Sequence, residues 1–196
     1  MKLYYARNSR AVRVAWLLEE LELSYEIESF ELGSPDMRSD TYRALHPMGR
    51  VPTLVDGDIT LFESGAIIQY LLAKYGNGRF IPDLNSDAFA AYLQWFHYAE
   101  GMIMPPMNTI VVETILLPPE RRNEVNVKRA TKLLGQMLTS VEKQLAGKTF
   151  LLGEHLSAAD FMTGHAVIMA TRLGADFSDY PFLRLYCVHL CQRPAF

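Results

Sequence analysis

Several sequence patterns are absent or rare, and each absence argues against a class of protein. Only two cysteines occur in 196 residues, Cys187 and Cys191, too few for the disulfide framework of a small secreted domain. No run of five or more lysines and arginines is present and the formal net charge is −3, which disfavours nucleic acid and anionic membranes as partners. The most apolar stretch, 102–119, is interrupted by paired prolines and Glu113, which argues against a membrane span. The first ten residues have no apolar run of signal-peptide length, so we expect a cytoplasmic protein.

Metal-ligand spacing is also missing. The five histidines form no recognisable ligand pattern, and the two cysteines lie four positions apart near the end of the chain. We therefore expect no metal site. With 49% hydrophobic and 21% charged residues, the chain is typical of a globular protein that can bury a core and divide into two small domains.

Strand and helix signals alternate through the first 77 residues. The patterns predict, in chain order, a strand at 2–5, a helix around 14–21, a strand at 25–32, a weak helix at 36–46, strands at 51–55 and 58–62, and a helix ending at Gly76. Asp56-Gly57 is a strong signal for a two-residue hairpin, because such turns need positive φ. In the first helix, Leu17 and its apolar neighbours define one face, and Arg13 and three glutamates, 19, 20 and 22, are predicted on the other. The order βαβαββα predicts an α/β domain over 1–77.

The rest of the chain carries helical signals only. Residues 78–86 contain turn formers without a helical period and are predicted to be a linker, followed by an all-helical domain at 87–196. The first helix of this domain is expected to bend or end near Pro105-Pro106. In "HLSAADFM", Ser157 and Asp160 have the spacing of a capping box, in which each side chain accepts the backbone N–H of the other.

Two short stretches of the α/β domain suggest a ligand site. Pro52 stands at a strand start, and a cis bond after Val51 is predicted to turn the Val51 backbone N–H and C=O towards an extended peptide; a trans proline at a sheet edge is the alternative. Glu63-Ser64 precedes an apolar helix, where Ser64 can hold a carboxylate at the helix N-terminus and Glu63 can pair with an ammonium group. An ordinary helix cap is the alternative there.

A third stretch, "ARNSRAVRV", places an amide and a hydroxyl at the first turn of the first helix. Asn8 and Ser9 can stabilise a thiolate there, since the helix dipole also favours negative charge. Capping of the helix is again the alternative.

These stretches together resemble one family. "NSRAVRVAWLLEELELSYE", "HPMGRVPTLVDGDITLFESGAIIQYLLAKYG" and "LSAADFM" occur in the order and at the separations of a cytosolic glutathione transferase, and the resemblance covers nearly the whole chain. It implies a thioredoxin-like N-terminal domain followed by an all-α C-terminal domain. "YLQWFHYAEGMIMPP" is similar to one branch, the bacterial-type transferases of broad electrophile range.

The resemblance also implies the ligand and its contacts. Glutathione is the expected co-substrate, without a metal. Val51, next to Pro52, is expected to pair its backbone with the cysteinyl part, Glu63 and Ser64 to hold the γ-glutamyl end, and Arg50 to reach the glycyl carboxylate.

The residue that activates the thiol is less well defined by the resemblance. The serine of the serine-type classes falls at Asn8, with Ser9 beside it, and Tyr5 lies near the position used by the tyrosine-type classes. The cysteine of the cysteine-type classes is absent from this turn. We expect Asn8 or Ser9 to contact the sulfur, with Ser9 preferred and Tyr5 in reserve.

The resemblance leaves several functions open. Tyr98, Met102 and Met104 can line a pocket for apolar electrophiles between the domains, or pack in the core. We expect conjugation of the glutathione thiolate to hydrophobic electrophiles, as in detoxification. Glutathione-dependent peroxide or disulfide reduction and a non-catalytic binding module are the alternatives, and a homodimer is expected.

Overall fold

The computed structural model describes residues 1–196 and divides the chain into two compact units, one of residues 1–80 with 194–196 and the other of residues 81–193. The first unit contains β1 (Lys2–Ala6), α1 (Ala11–Glu20), β2 (Glu26–Phe30), a 3-10 turn (Pro35–Arg38), α2 (Asp40–Arg43), β3 (Thr53–Asp56), β4 (Ile59–Phe62) and α3 (Ser64–Tyr75). This is the predicted βαβαββα order, and the thioredoxin-like fold is confirmed.

The register of the four-stranded sheet decides which loops become neighbours. The strand order is β2-β1-β3-β4, with β1 parallel to β2 and the other two pairs antiparallel. Thr53 pairs with Tyr4 on one side and with Phe62 on the other. The segments that follow β1, precede β3 and follow β4 therefore lie at the same end of the sheet.

The hairpin between β3 and β4 forms one residue later than its sequence signal. Asp56 and Ile59 are paired across the ladder, so the two-residue loop is Gly57 and Asp58. Gly57 has φ +61°, whereas Asp58 is not among the residues with positive φ. Glycine at the first loop position is typical of a type II′ turn.

The polar face predicted for α1 is only partly exposed. Arg13 is 0% exposed and Glu20 is 8% exposed, so their predicted position on the solvent face is wrong, whereas Glu19 is exposed. Both buried side chains have hydrogen-bond partners: Trp16 Nε1 donates to Glu20 Oε1 at 3.0 Å, and Arg13 donates to α3. Burial of a charge is tolerated when such partners offset the loss of water.

The second unit is entirely helical apart from one isolated bridge. It contains α4 (Ala88–Tyr98), α5 (Met104–Val111), α6 (Glu124–Leu145), α7 (His165–Arg172) and α8 (Pro181–Cys191), with π-type turns at Ala99–Ile103, Val112–Leu116 and Asp160–Gly164 and a 3-10 turn at Pro119–Arg121. None of the helices combines the length and the apolar composition needed to span a membrane.

The paired prolines lie inside a continuous run of helical residues. The regular part of α4 ends at Tyr98, a π-type turn covers Ala99–Ile103, and Pro105 and Pro106 follow in the first turn of α5. The helical path continues to Leu116, so the helix does not end at the prolines. The departure from regular α-helix lies just before them.

Asp160 is the buried polar centre of the helical unit. It is 0% exposed and its carboxylate accepts from Ser157 N, Ser157 Oγ, Leu151 N and Tyr186 Oη at 2.7–2.9 Å. The Asp160 half of the capping box is confirmed, but the predicted role of the Ser157 hydroxyl is reversed. That hydroxyl donates to the carboxylate instead of accepting the Asp160 N–H, which bonds to the Ser157 carbonyl.

Candidate functional site

The turn before α1 holds the two residues predicted to activate a thiol. Asn8 is exposed and has φ +57°, a left-handed conformation that asparagine tolerates better than most residues. Ser9 Oγ donates to the Ala6 carbonyl oxygen at 2.6 Å and accepts the Ala11 N–H at 3.1 Å. The Ser9 hydroxyl proton is therefore engaged in tying the end of β1 to the start of α1.

The Val51-Pro52 peptide bond is cis, as predicted. Tyr42, 3% exposed, fixes the chain on both sides of it, because its hydroxyl donates to the Arg50 carbonyl oxygen at 2.6 Å and lies 3.0 Å from Thr53 Oγ1. Burial raises the pKa of the Tyr42 hydroxyl, which keeps it protonated as a donor. Val51 itself precedes the strand ladder, which begins at Thr53.

A tight turn leads into this segment. His46, 6% exposed, accepts the Met48 N–H on Nδ1 at 3.2 Å, and its carbonyl accepts the Gly49 N–H at 2.8 Å. Gly49 has φ +57°, and a Cβ there would overlap the Met37 carbonyl oxygen, so only glycine fits. Burial lowers the pKa of His46, which favours the neutral ring that the Met48 contact requires. The turn presents Arg50 with an exposed side chain.

Glu63 and Ser64 form the junction between β4 and α3. Glu63 is exposed and adopts φ 74° and ψ 110°, a conformation that costs a residue with a Cβ about 1–3 kcal/mol and that clusters at ligand sites. Ser64 is 3% exposed and is the first residue of α3. Its Oγ accepts from Arg13 Nη1 at 3.2 Å, which joins the first turns of α1 and α3.

The sheet register brings these three segments to one end of the N-terminal unit. The backbone of Val51 lies outside the ladder, the unpaired N–H groups of the first turn of α3 begin at Ser64, and Asn8 precedes α1. Such a set suits an extended peptide-like molecule with a carboxylate at the start of α3, because helix N-termini favour anions. No group of three or more histidine, cysteine, aspartate or glutamate side chains is arranged to hold a metal ion.

Comparison with known proteins identifies the family. The model of the glutathione S-transferase N-terminal domain matches residues 1–73, and that of the C-terminal domain matches residues 124–188. Glutathione S-transferase 4 of Zea mays is 33% identical over 193 residues, which cover 93% of this chain and 83% of that protein. The chain belongs to the glutathione S-transferase family.

Solved structures of glutathione S-transferases extend this likeness over the whole chain. The enzyme from Actinobacillus pleuropneumoniae has 31% identity and a TM-score of 0.82, with 99% of this chain and 88% of that chain covered. A theta-class glutathione S-transferase from Xanthomonas axonopodis pv. citri, solved with glutathione bound, has 27% identity and a TM-score of 0.84, with 99% and 93% covered.

Tyr5 is placed differently from the other candidates in this transferase fold. It lies in β1 opposite Ser29 of β2, one residue before Ala6, the last residue of the strand. Asn8 and Ser9 lie in the turn that connects this strand to α1.

The three residues predicted to contact an electrophile differ in exposure within the helical unit. Met102 is 42% exposed, whereas Met104 is 8% exposed and belongs to the core. The Tyr98 hydroxyl donates to the Met137 carbonyl oxygen at 3.1 Å. A groove of about 600 Å³ in this unit is lined by residues of α5 and α6 and includes none of the three.

Sequence reasoning missed two buried polar residues beside the candidate site. Tyr42 was assigned only to a weak helix, and Arg13 to a solvent face. The partner of Arg13 lies 51 residues away, so no local pattern could reveal the contact. A usable signal for Arg13 was its position beside Val14 and Leu17 on a helix with few polar positions.

Proposed function

We propose that this protein conjugates glutathione to apolar carbon electrophiles. The observation that carries the proposal is the convergence of the Val51-Pro52 segment, the Glu63-Ser64 junction and the turn at Asn8 at one end of the sheet. The glutathione-bound structure of the Xanthomonas relative supports the choice of peptide.

Each part of glutathione has a proposed partner. The Val51 backbone, preceding the cis proline Pro52, pairs with the cysteinyl unit as an added strand. Ser64 and the N-terminus of α3 bind the γ-glutamyl carboxylate, Glu63 binds its ammonium group, and Arg50 reaches the glycyl carboxylate.

Activation of the thiol falls to the N-terminus of α1. A free cysteine thiol has a pKa of about 8.5, and lowering it by two units takes roughly 2.7 kcal/mol. A helix end supplies about 0.3–1 kcal/mol, up to ~2 when partly buried, and a hydrogen bond to a charged group supplies about 1.5–3 kcal/mol. A donor at this turn is therefore needed in addition to the dipole.

Asn8 is our proposed donor in preference to the Ser9 hydroxyl. The Ser9 hydroxyl donates to the Ala6 carbonyl, and turning it to a thiolate would break that contact. The Asn8 side chain is exposed at the same turn, and an amide group can donate to a thiolate. The Ser9 backbone N–H is the second donor in the proposal, and Tyr5 is not part of it.

The test compares single variants at this turn. Asn8→Gly removes the amide and keeps the left-handed backbone without strain. We expect it to raise the pKa of the bound thiol, read from the pH dependence of thiolate absorbance, and to slow conjugation about 10- to 100-fold at unchanged glutathione affinity.

Ser9→Ala is the matched control. It should lower the melting temperature, since loss of a helix-capping side chain costs about 0.5–2 kcal/mol, and leave the thiol pKa nearly unchanged. A thiol pKa that responds to Ser9→Ala or Tyr5→Phe but not to Asn8→Gly contradicts the assignment.

The electrophile class is tested separately. Retention on immobilised glutathione, followed by a panel of aryl halides, enals, peroxides and disulfides, separates conjugation from reduction and from a non-catalytic module. Residues 1–80 contain no cysteine, so reduction by way of an enzyme thiol at this site has no residue to carry it. Tyr98, Met102 and Met104 remain the proposed electrophile contacts. Met102 is the more exposed of the two methionines.

We also propose a homodimer. The support is the family resemblance together with apolar side chains exposed along residues 88–116, among them Leu93, Ile115 and Leu116. Sedimentation at micromolar concentration should give twice the chain mass, and a monomer there contradicts the proposal.

A further inference from the structure

The two cysteines of the chain lie together on α8, in the helical unit and outside the candidate site. Cys187 and Cys191 are four positions apart in this helix, so their side chains project from one face on consecutive turns. Both are free thiols, Cys187 half-buried and Cys191 exposed. The pair is therefore accessible to a reagent from the side of Cys191.

Helix geometry keeps the two thiols from closing on each other. Cβ atoms four residues apart on a helix are separated by about 5–6 Å, whereas a disulfide needs about 3.5–4.5 Å. Direct oxidation to a disulfide would therefore distort the last turn of α8. A single atom that bonds to both sulfurs makes a longer bridge, which can close while the helix stays regular.

The surroundings of the pair argue against a metal cation as the bridging atom. Burial, with a smaller contribution from Cys191, raises the pKa of Cys187 to about 12, and burial also raises the pKa of Cys191. A metal ion binds thiolates, so it would have to displace both protons. The Arg172 guanidinium, at the end of α7, lowers the pKa of Cys191 against this trend, which places a positive charge within electrostatic range of the pair. No group of three histidine, cysteine, aspartate or glutamate side chains completes a metal site.

Trivalent organoarsenic satisfies all of these conditions, because it bonds to two sulfurs, keeps its organic substituent and needs no third protein ligand. When an arsine oxide condenses with two thiols, two As–S bonds form and the As–O double bond breaks. The oxygen leaves as water with both thiol protons, and neither arsenic nor sulfur changes its oxidation state. The product is neutral, so it suits a half-buried position near Arg172.

We propose that Cys187 and Cys191 form a bidentate dithiol site for trivalent organoarsenic compounds. Once one sulfur has bonded, the second reacts within the same molecule, at an effective concentration on the order of millimolar. A monothiol such as glutathione is then a poor competitor for the arsenic. The site uses no residue of the proposed glutathione site, so either proposal can fail without the other.

The experiment treats the full chain with phenylarsine oxide and then titrates glutathione as the competing monothiol. Intact-mass spectrometry should show one phenylarsenic group per chain. Wild type should keep this group at about 100-fold higher glutathione than Cys187→Ser or Cys191→Ser, because each single variant has lost the intramolecular second bond. Zn²⁺ alone, added beforehand, should not block the reaction.

A register variant separates chelation from the mere number of thiols. Cys191→Ala combined with Gln192→Cys keeps two thiols in the chain but moves the second one by about 100° around the helix. In native buffer this variant should lose the arsenic at the glutathione concentrations that displace it from the single variants. In denaturant the helix is gone, so the register variant and wild type should retain arsenic equally.

Four results overturn the inference. They are single variants that hold arsenic as strongly as wild type, a register variant that matches wild type in native buffer, protection of the thiols by Zn²⁺, and a loss of helicity in circular dichroism when arsenic binds. The last would show that the cysteines meet only in an unfolded segment. If Cys187→Ser does not fold, the exposed Cys191→Ser supplies the single-thiol comparison.

Discussion

Two buried serines near helix starts, Ser64 and Ser157, have opposite hydrogen-bond partners. Ser157 donates to the carboxylate of Asp160, three residues later, which also accepts from Leu151 and Tyr186. Ser64 instead accepts from the guanidinium of Arg13. At the first serine the partner is a carboxylate that is itself surrounded by donors, and at the second it is a guanidinium on another helix. The difference teaches that a serine hydroxyl near a helix start can donate to an acceptor within the chain, or can accept from the chain and retain its own O–H for another partner.

The largest expected effect is on stability, from Asp160→Ala. The change leaves buried donors at Ser157, Leu151 and Tyr186 without an acceptor, so the free energy of unfolding should fall by about 3–5 kcal/mol. Chemical denaturation measures this fall. The affinity of the folded protein for glutathione should not change.

Tyr186→Phe is the milder control for this prediction. It removes one of the four donors and should cost about 1 kcal/mol. A loss of glutathione affinity in Asp160→Ala that exceeds its loss of stability would break the comparison, since the Asp160 centre would then be part of the ligand site.

The next effect is on affinity, from Ser64→Ala. Loss of a hydrogen bond to a charged ligand group should weaken glutathione binding by about 1.5–3 kcal/mol, measured by calorimetry. The unfolding free energy should fall less, by about 1 kcal/mol, because only the contact with Arg13 is lost in the free protein. Ser64→Thr keeps the hydroxyl and should restore most of the affinity. Equal losses of affinity and stability in Ser64→Ala would indicate an ordinary helix cap.

The smallest expected effect is a dependence of glutathione affinity on pH. It comes from His46, at the end of the sheet that carries the candidate site, and not from the Asp160 centre. His46 must be neutral to accept the Met48 N–H, and burial lowers its pKa below the ordinary 6.5, although Glu63 opposes this shift. The neutral ring therefore stabilises the turn at pH values above the ordinary pKa of about 6.5, and the stabilisation is lost as pH falls through the lowered folded pKa. The KM for glutathione should rise about 2- to 10-fold on acidification through this range.

His46→Asn tests this assignment. An asparagine side chain can accept the same N–H in an Asx turn and does not titrate, so its KM should stay level with pH. If wild type and variant show the same rise in KM, the rise comes from another group.

Local sequence patterns predicted much of the fold, because turns and hydrophobic periodicity depend on residues that are close together in the chain. The hairpin and the order of the elements follow from turn chemistry and periodicity, with the loop between β3 and β4 displaced by one residue. The cis bond at Val51-Pro52 was also predicted, but from an expected peptide ligand and not from the local sequence.

The remaining features depend on contacts that no local pattern contains. Periodicity assigns a charged residue to the solvent face, since burying a charge is costly without a partner, and the partner of Arg13 lies on a different helix. The direction of a hydroxyl is likewise invisible in the sequence: Ser9 donates to Ala6, and Ser157 donates to Asp160 where an acceptor was predicted. Residue types at the site were predictable, but the hydrogen bonds that orient them were not.

Thr53 pairs with both Tyr4 and Phe62, so the segments of the proposed ligand site meet only after β1, β3 and β4 have formed one sheet. Ligand binding is therefore expected late in folding. During synthesis Arg13 emerges 51 residues before Ser64, so an incomplete chain contains α1 without the helix start that Arg13 contacts in the finished fold. A ligand that binds only the native state stabilises that state by mass action and leaves partly assembled forms unaided. By this proposal, glutathione discriminates between finished and unfinished copies of the N-terminal unit as well as serving as a substrate.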